Sequence, residues 1–327
     1  MSSDALIDDF LDGVESRHSW SPERRQLLDG LLHRLTELVE LHPDPDDLRL
    51  ATQSMEELLE ATKMFLPWRD RSKLTVFGSA RVKSENPLYE LARELSQRMA
   101  QRGWMTVSGA GPGIMEAAAM GAGLENTLGV NISLPFEQSS NPYVEADGQL
   151  VEMKYFFTRK VALTKASHAF AVFPGGLGTM DEVFELLTLL STGKSKPAPV
   201  LLIDTAEGTF WESWLRFVNE SVVASNYLDG ATTCLFEICH SLEAVTAAIE
   251  RFYSNFITFA VNDSVASIAV QTDLEHARVG SLAALLPQFT GGVGYRVVSP
   301  RTLTFDFDGR DYVGVRQLID ELNTWMS

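Results

Sequence analysis

Cysteine is nearly missing from the chain: Cys234 and Cys239 are the only two in 327 residues. Two thiols cannot staple a fold of this length, and with no second Cys or His pair beside them they lack the spacing of a structural zinc site. They are expected to be small buried residues in a reducing, cytoplasmic setting. Positive charge is scarce as well. Lys and Arg total 27 against 44 Asp and Glu, a formal net charge of −17, which excludes a broad nucleic-acid face because counterion release needs clustered cations. It leaves room for one phosphate in a local pocket of backbone amides. No run approaches the ~20 apolar residues of a membrane span. The first residues carry Asp4, Asp8 and Asp9 without a basic n-region, so no signal peptide and no membrane partner is expected. Six histidines are scattered without ligand spacing, and no metal is expected.

What is present is a globular composition, 45% hydrophobic and 22% charged, in a chain longer than one average domain. Three zones separate by pattern. Residues 1–70 read as a helical extension: Leu27, Leu28, Leu31, Leu32, Leu35 and Leu38 recur at helical spacing, Pro43 and Pro45 break the run, and a second helix carrying Leu58, Leu59 and Phe65 ends at Pro67. Its expected partner is the main domain or another subunit.

Residues 71–255 alternate short apolar runs (74–77, 105–108, 129–132, 169–173 and 200–203) with amphipathic segments. Repeated strand–turn–helix units predict a doubly wound, Rossmann-like parallel sheet. Ligands of such sheets bind at the carboxyl ends of the strands, so the turns after the runs are where chemistry is sought. Residues 256–327 predict a small α+β appendage, with strands near 267–270, 295–298 and 303–307 and a helix near 282–286. A last helix carries Val315, Leu318, Ile319, Leu322 and Trp325 on one face.

The first run ends in Gly78-Ser79-Ala80-Arg81, where a glycine, a hydroxyl and a cation lie close together. The second ends in Gly109-Ala110-Gly111-Pro112-Gly113-Ile114-Met115-Glu116, which opens a helix whose first amides suit an anion. Two familiar motifs fail. The dinucleotide fingerprint counted from Gly109 needs Gly at Ile114, and a P-loop ending Gly193-Lys194-Ser195 needs Gly at Thr188. The fourth run ends in Pro174-Gly175-Gly176-Leu177-Gly178-Thr179-Met180-Asp181-Glu182. Thr179 is placed as an N-cap or a phosphate donor, and Glu182 either completes a capping box with it or serves a ligand. Just before that run, Arg159-Lys160 stands at the start of a helix, where the dipole disfavours cations, which points to an anionic partner.

The Arg159-Lys160 pair followed by Pro174-Gly-Gly-x-Gly-Thr-x-x-Glu182 resembles the paired signature of the Lonely guy (LOG) family, once labelled lysine decarboxylases. The likeness extends to Gly78-Ser79-Ala80-Arg81, the Gly111 turn, segment 131–138, and Leu187-Thr188 through Gly193-Lys194, in the manner of the longer bacterial branch. Ala110 departs from it, standing where a third consecutive glycine is usual.

The resemblance implies a hydrolase that cuts the N-glycosidic bond of a nucleoside 5′-monophosphate (AMP or a cytokinin riboside monophosphate), with no cofactor. Arg159 and Glu182 are implied as catalytic. Gly78, Ser79, Arg81, Gly111, Pro112, Gly113, Met115, Glu116, Lys160, Gly175, Gly176, Gly178 and Thr179 are implied as substrate-binding. A homodimer or larger assembly is implied too, with 89–101 and 179–190 as candidate interface helices. A non-catalytic carrier or sensor of a nucleotide or molybdenum-type cofactor is the alternative reading. Pyridoxal chemistry needs a Schiff-base lysine, and Lys160 and Lys165 read as ordinary surface lysines.

Overall fold

In the computed structural model, residues 3–15, 20–133, 140–144, 148–274, 282 and 295–326 are described. The chain divides into two compact units, residues 1–56 and 57–327. The N-terminal one holds α1 (Ser3–Glu15), α2 (Pro22–Glu40) and the first half of α3 (Pro45–Phe65). Ser21 caps α2 by accepting from Arg24 N, and Pro22 pre-sets its first turn. Arg25 joins α2 to Asp12 and Glu15 of α1.

The larger unit is built on a seven-stranded parallel sheet of order β4-β3-β2-β1-β5-β6-β7. Its strands are β1 (Lys73–Phe77), β2 (Met105–Ser108), β3 (Thr127–Ile132), β4 (Leu150–Met153), β5 (Ala169–Val172), β6 (Val200–Ile203) and β7 (Phe236–Cys239). Every residue of β1, β2, β5 and β6 is buried, as a sheet covered on both faces requires. Alternate side chains serve opposite layers. Phe77, Val107, Val130, Phe170, Val172 and Leu202 pack against α6 (Phe156–Lys165), α7 (Leu177–Ser191) and α8 (Phe210–Phe217). Leu74, Val76, Ala169, Ala171 and Ile203 pack against α4 (Pro87–Gln101), α5 (Ile114–Ala122) and α9 (Leu242–Phe252). The expected doubly wound sheet is therefore the fold. Its two outermost strands, β4 and β7, are additions to the sequence reading. Both are short, half-exposed edges that carry a Glu (Glu152 and Glu237) in the middle, so neither shows a continuous apolar run.

The chain ends in a four-stranded antiparallel sheet of order β10-β11-β9-β8, formed by β8 (Phe256–Asn262), β9 (Val265–Val270), β10 (Tyr295–Ser299) and β11 (Thr302–Asp306). One face packs on α10 (Tyr312–Asn323), whose Val315, Leu318, Ile319 and Leu322 are buried against Phe259, Ile268, Leu303 and Phe305. The helix expected over 282–286 lies outside the described residues apart from Leu282, which is buried. β8 is a further strand that the sequence reading did not contain.

Two buried asparagines tie the end of α9 to the antiparallel sheet and α10. Asn255, between α9 and β8, accepts from Gln271 N at 3.0 Å and Thr272 N at 2.9 Å and donates to Leu322 O at 2.8 Å. Asn323 of α10 accepts from Asn255 N at 3.1 Å and Phe256 N at 2.9 Å and donates to Phe252 O at 2.7 Å. At the C-terminal end of α7, Gly193 adopts φ +68°, and a Cβ there would come within 1.8 Å of the Tyr312 ring of α10.

Candidate active site

β1 lies between β2 and β5, so the chain leaves it towards opposite edges and a crevice opens at the carboxyl ends of these strands. Three turns are stitched together there. Ser79 N donates to Pro174 O at 3.2 Å, and Ile114 N donates to Ser79 O at 3.1 Å. Gly113 precedes α5 with φ +69°, and a Cβ on it would stand 2.5 Å from Ser79 O, so the turn after β2 closes onto the turn after β1 only with glycine at this position. Gly78, Ser79, Gly113 and Gly175 are thus brought into one place. Met115 and Glu116 follow in the first turn of α5, half-buried, while Pro112 and Arg81 are exposed. Ser79 Oγ accepts from Arg81 N at 3.1 Å, which tightens its own turn. Ala110 is a non-glycine residue at φ +57°. Its methyl is buried with Ala119 and Val144, and the carbonyls of Ala110 and Gly111 are taken by Asn141.

α7 begins at Leu177 with Gly176 as its N-cap and no side-chain cap. Thr179 is therefore the third helical residue and not the N-cap, and a capping box with Glu182 is not what this turn makes. Thr179 is buried with its hydroxyl turned back on Gly175, where a Cβ would meet it at 2.2 Å. By contrast, a Cβ on Gly176 or Gly178 would meet nothing within 4 Å. Packing within the chain does not demand glycine at those two positions, and the first amides of the helix are left approachable.

Arg159, in the first turns of α6, is buried. Its Nε donates to Val130 O at 2.9 Å and its Nη1 stands 3.5 Å from Glu182 Oε1. The guanidinium lies against Gly109, where a Cβ would fall 1.9 Å from Nη2 and 2.9 Å from Met115 Sδ. The Glu182 side chain is 14% exposed. Burial pushes its carboxyl up to about 7, against the pull of Arg159 and Lys160, while Asp181 and Glu185 add to the rise.

Lys160 is not the ordinary surface lysine its position suggests. Its side chain is 15% exposed, with Nζ 2.7 Å from Asp181 and 2.8 Å from Glu185, binding α6 to α7. Burial lowers its pKa, but the two carboxylates outweigh this and the net direction is upward. That is the opposite of what an amine nucleophile needs.

The anion expected at the positive end of α6 is supplied in part by the protein. Glu57 of α3, 2% exposed, accepts from Lys154 N at 2.8 Å, Tyr155 N at 3.4 Å and the Thr158 hydroxyl. Nothing in the sequence marks it, because it is one of several glutamates in α3, although Ala61 and Met64 further along the helix are buried with it. Of segment 131–138, residues 134–138 lie outside the described residues. Among the described residues, no group of three or more His, Cys, Asp or Glu could hold a metal, and no helix is long and apolar enough to cross a membrane. Cavities of about 540 Å³, lined by Phe10, Trp20 and Leu28 among others, and about 590 Å³, lined by Trp68, Arg71 and Gln149 among others, lie elsewhere. Neither contains the Arg159–Glu182 pair.

Residues 112–249 match the family described as "Possible lysine decarboxylase". The pyrimidine/purine nucleotide 5′-monophosphate nucleosidase of Escherichia coli (strain K12) is 26% identical over 144 residues, which are 41% of this chain and 31% of that protein. The cytokinin riboside 5′-monophosphate phosphoribohydrolase of Mycobacterium tuberculosis is 31% identical over 121 residues, 36% of this chain and 63% of that protein. The chain thus spans about a third of the first relative and under two thirds of the second. A solved structure of the molybdenum cofactor carrier protein from Chlamydomonas reinhardtii, 19% identical, covers 55% of this chain and 97% of its own at a TM-score of 0.39. Over residues 112–249 the chain is thus similar to the lysine-decarboxylase-like (LOG) family.

Proposed function

We propose that this protein hydrolyses the N-glycosidic bond of a nucleoside 5′-monophosphate, AMP or a cytokinin riboside monophosphate, to free base and ribose 5-phosphate. The observation that carries the reading is Glu182, a buried carboxyl poised at about 7 and facing Arg159 beside the glycine-lined start of α7. As the C1′–N bond breaks, its electron pair leaves with the base and positive charge grows on the ribose. A carboxylate at C1′ stabilises that charge and takes a proton from the water whose oxygen bonds to C1′. A pKa near 7 suits both states of that cycle at neutral pH.

Arg159 stays protonated throughout. It therefore acts through charge, on the 5′-phosphate or on the electron pair arriving at the base, and it orients Glu182. The amides at the starts of α5 and α7 are the phosphate seat, and phosphate binding remote from C1′ supplies positioning energy to the reacting centre. A second copy of the chain completing the assembly belongs to the same reading.

The test is base release from a panel of nucleoside 5′-monophosphates, followed by chromatography, with Glu182→Gln and Arg159→Ala as controls. Release by the wild type that both variants lose is the expected result and names the base. Folded protein that binds monophosphates and releases no base from any of them overturns the hydrolase and leaves a carrier or sensor.

A further inference from the structure

We propose that Glu57 is a positioning residue for Arg159, a role that rests on the hydrolase reading above. α6 begins against its own electrostatics. A helix start carries partial positive charge, yet Arg159 and Lys160 are its fourth and fifth residues. Its N-cap, Tyr155, offers no side-chain cap. The missing part comes from about 100 residues earlier in the chain: the Glu57 carboxylate takes the amides of Lys154 and Tyr155 and the hydroxyl of Thr158.

In an ordinary capping box, the acid at the third helical position reaches back to the N-cap amide. Here Thr158 occupies that third position and holds an acid delivered by α3, which serves the N-cap amide in its place. Two things follow for Arg159, the next residue. The negative charge at the helix start offsets the dipole that would otherwise disfavour its cation. The pinned first turn also fixes the direction in which its side chain sets out towards Val130 O and Glu182. There is no slack in that path, because the guanidinium already lies where a Cβ on Gly109 would be. From residue 51 to 60, Glu57 is the single buried position, so α3 turns this one side chain inward along that stretch.

Glu57→Gln keeps the size of the side chain and removes its charge, and Thr158→Val removes the hydroxyl that holds it. Both are measured in the full chain for melting, for kcat/KM with the best monophosphate, and for the pH dependence of kcat/KM. The expected result is a folded protein whose kcat/KM falls about tenfold through lost positioning. Its acid limb near pH 7 moves upward by about half a unit, since a loosened Arg159 no longer draws the Glu182 pKa down. The double variant is expected to be no worse than the worse single, because both break one link. A folded Glu57→Gln protein with an unmoved acid limb and kcat/KM within about twofold of wild type overturns the role. If Glu57→Gln does not fold, Thr158→Val carries the same two outcomes.

Should the wild type release no base at all, the hydrolase reading fails on its own. The positioning of Arg159 is then read from the Glu182 carboxyl by carbon NMR titration. An upward shift in either variant supports the link, and an unchanged titration overturns it.

Discussion

Asn255 and Asn323, where the antiparallel sheet meets α9, are buried, and Arg159 and Glu182 at the heads of α6 and α7 keep only 10% and 14% of their side chains exposed. The asparagine pair is neutral, and both of its side chains exchange hydrogen bonds with backbone, between 2.7 and 3.1 Å in the contacts described above. The charged pair stands 3.5 Å apart, and its carboxyl titrates far above the usual range. One cluster has met the cost of desolvation with hydrogen bonds and ties the end of α9 to β8 and α10. The other keeps part of that cost in a carboxyl that is uncomfortable when ionised, which is how a site capable of chemistry differs from a joint.

The largest effect is expected at Glu182. Glu182→Gln is expected to lower base release by about 10²–10⁴, the usual worth of a general base, while making the fold more stable at high pH. The sign follows from the raised pKa. The ionisation penalty is absent below the unfolded value of 4.5, grows between there and about 7, and is complete above it. Removing the carboxyl should therefore stabilise the protein by at most about 3 kcal/mol at pH 8 and by little at pH 5. Arg159, left without this counter-charge, offsets part of the gain. Melting temperatures at the two pH values decide it: equal shifts at both would show that the carboxyl carries no such penalty. Asn323→Ala should do the reverse, costing about 3–5 kcal/mol in chemical denaturation through orphaned amides of Asn255 and Phe256, with base release per folded molecule retained.

Smaller changes sharpen the picture. Lys160→Met removes two ion pairs, but Asp181 is 58% and Glu185 34% exposed, so the stability cost is held to about 1 kcal/mol. Because Lys160 lowers the Glu182 pKa, the acid limb of kcat/KM should move to higher pH in this variant. An unmoved limb would remove Lys160 from the electrostatics of the site. Smallest is His240, whose ring nitrogens face Thr205 O at 2.8 Å and Glu212 at 2.6 Å. The backbone contact with Thr205 is the main cause raising its pKa from 6.5, and Glu212 and Asp204 act the same way. Its stabilisation is present below 6.5 and fades as pH rises through the higher folded value. His240 and Glu212 are each 38% exposed, so His240→Gln should flatten the pH dependence of stability by only a few tenths of a kcal/mol, roughly.

The central strands could be read directly because burial on both faces writes them as unbroken apolar runs, as in Val200-Leu201-Leu202-Ile203. The edges β4 and β7 could not, since a strand with one open side tolerates Glu152 or Glu237 in its middle. The turns of the site were legible for a similar reason: a Cβ would collide with the Ser79 carbonyl at Gly113 and with the Thr179 side chain at Gly175. Thr179 has the chemistry of a cap, yet α7 begins two residues before it and its hydroxyl lies against Gly175. Glu57 was illegible for want of any local cue. Its partners are 97 to 101 residues away, and only the fold brings them within reach.

The seat of Tyr312 over Gly193 bears on how this chain can be recombined. A donor segment carrying any side chain at position 193 would collide with the ring and would also have to adopt φ +68°. A cut near residue 256 that exchanges the antiparallel sheet as a cassette would therefore separate two positions that must travel together. Glu182 is on the same helix that ends at this seat. Grafts across that boundary succeed only when residues 193 and 312 come from the same parent, or when the incoming residue facing Gly193 is small.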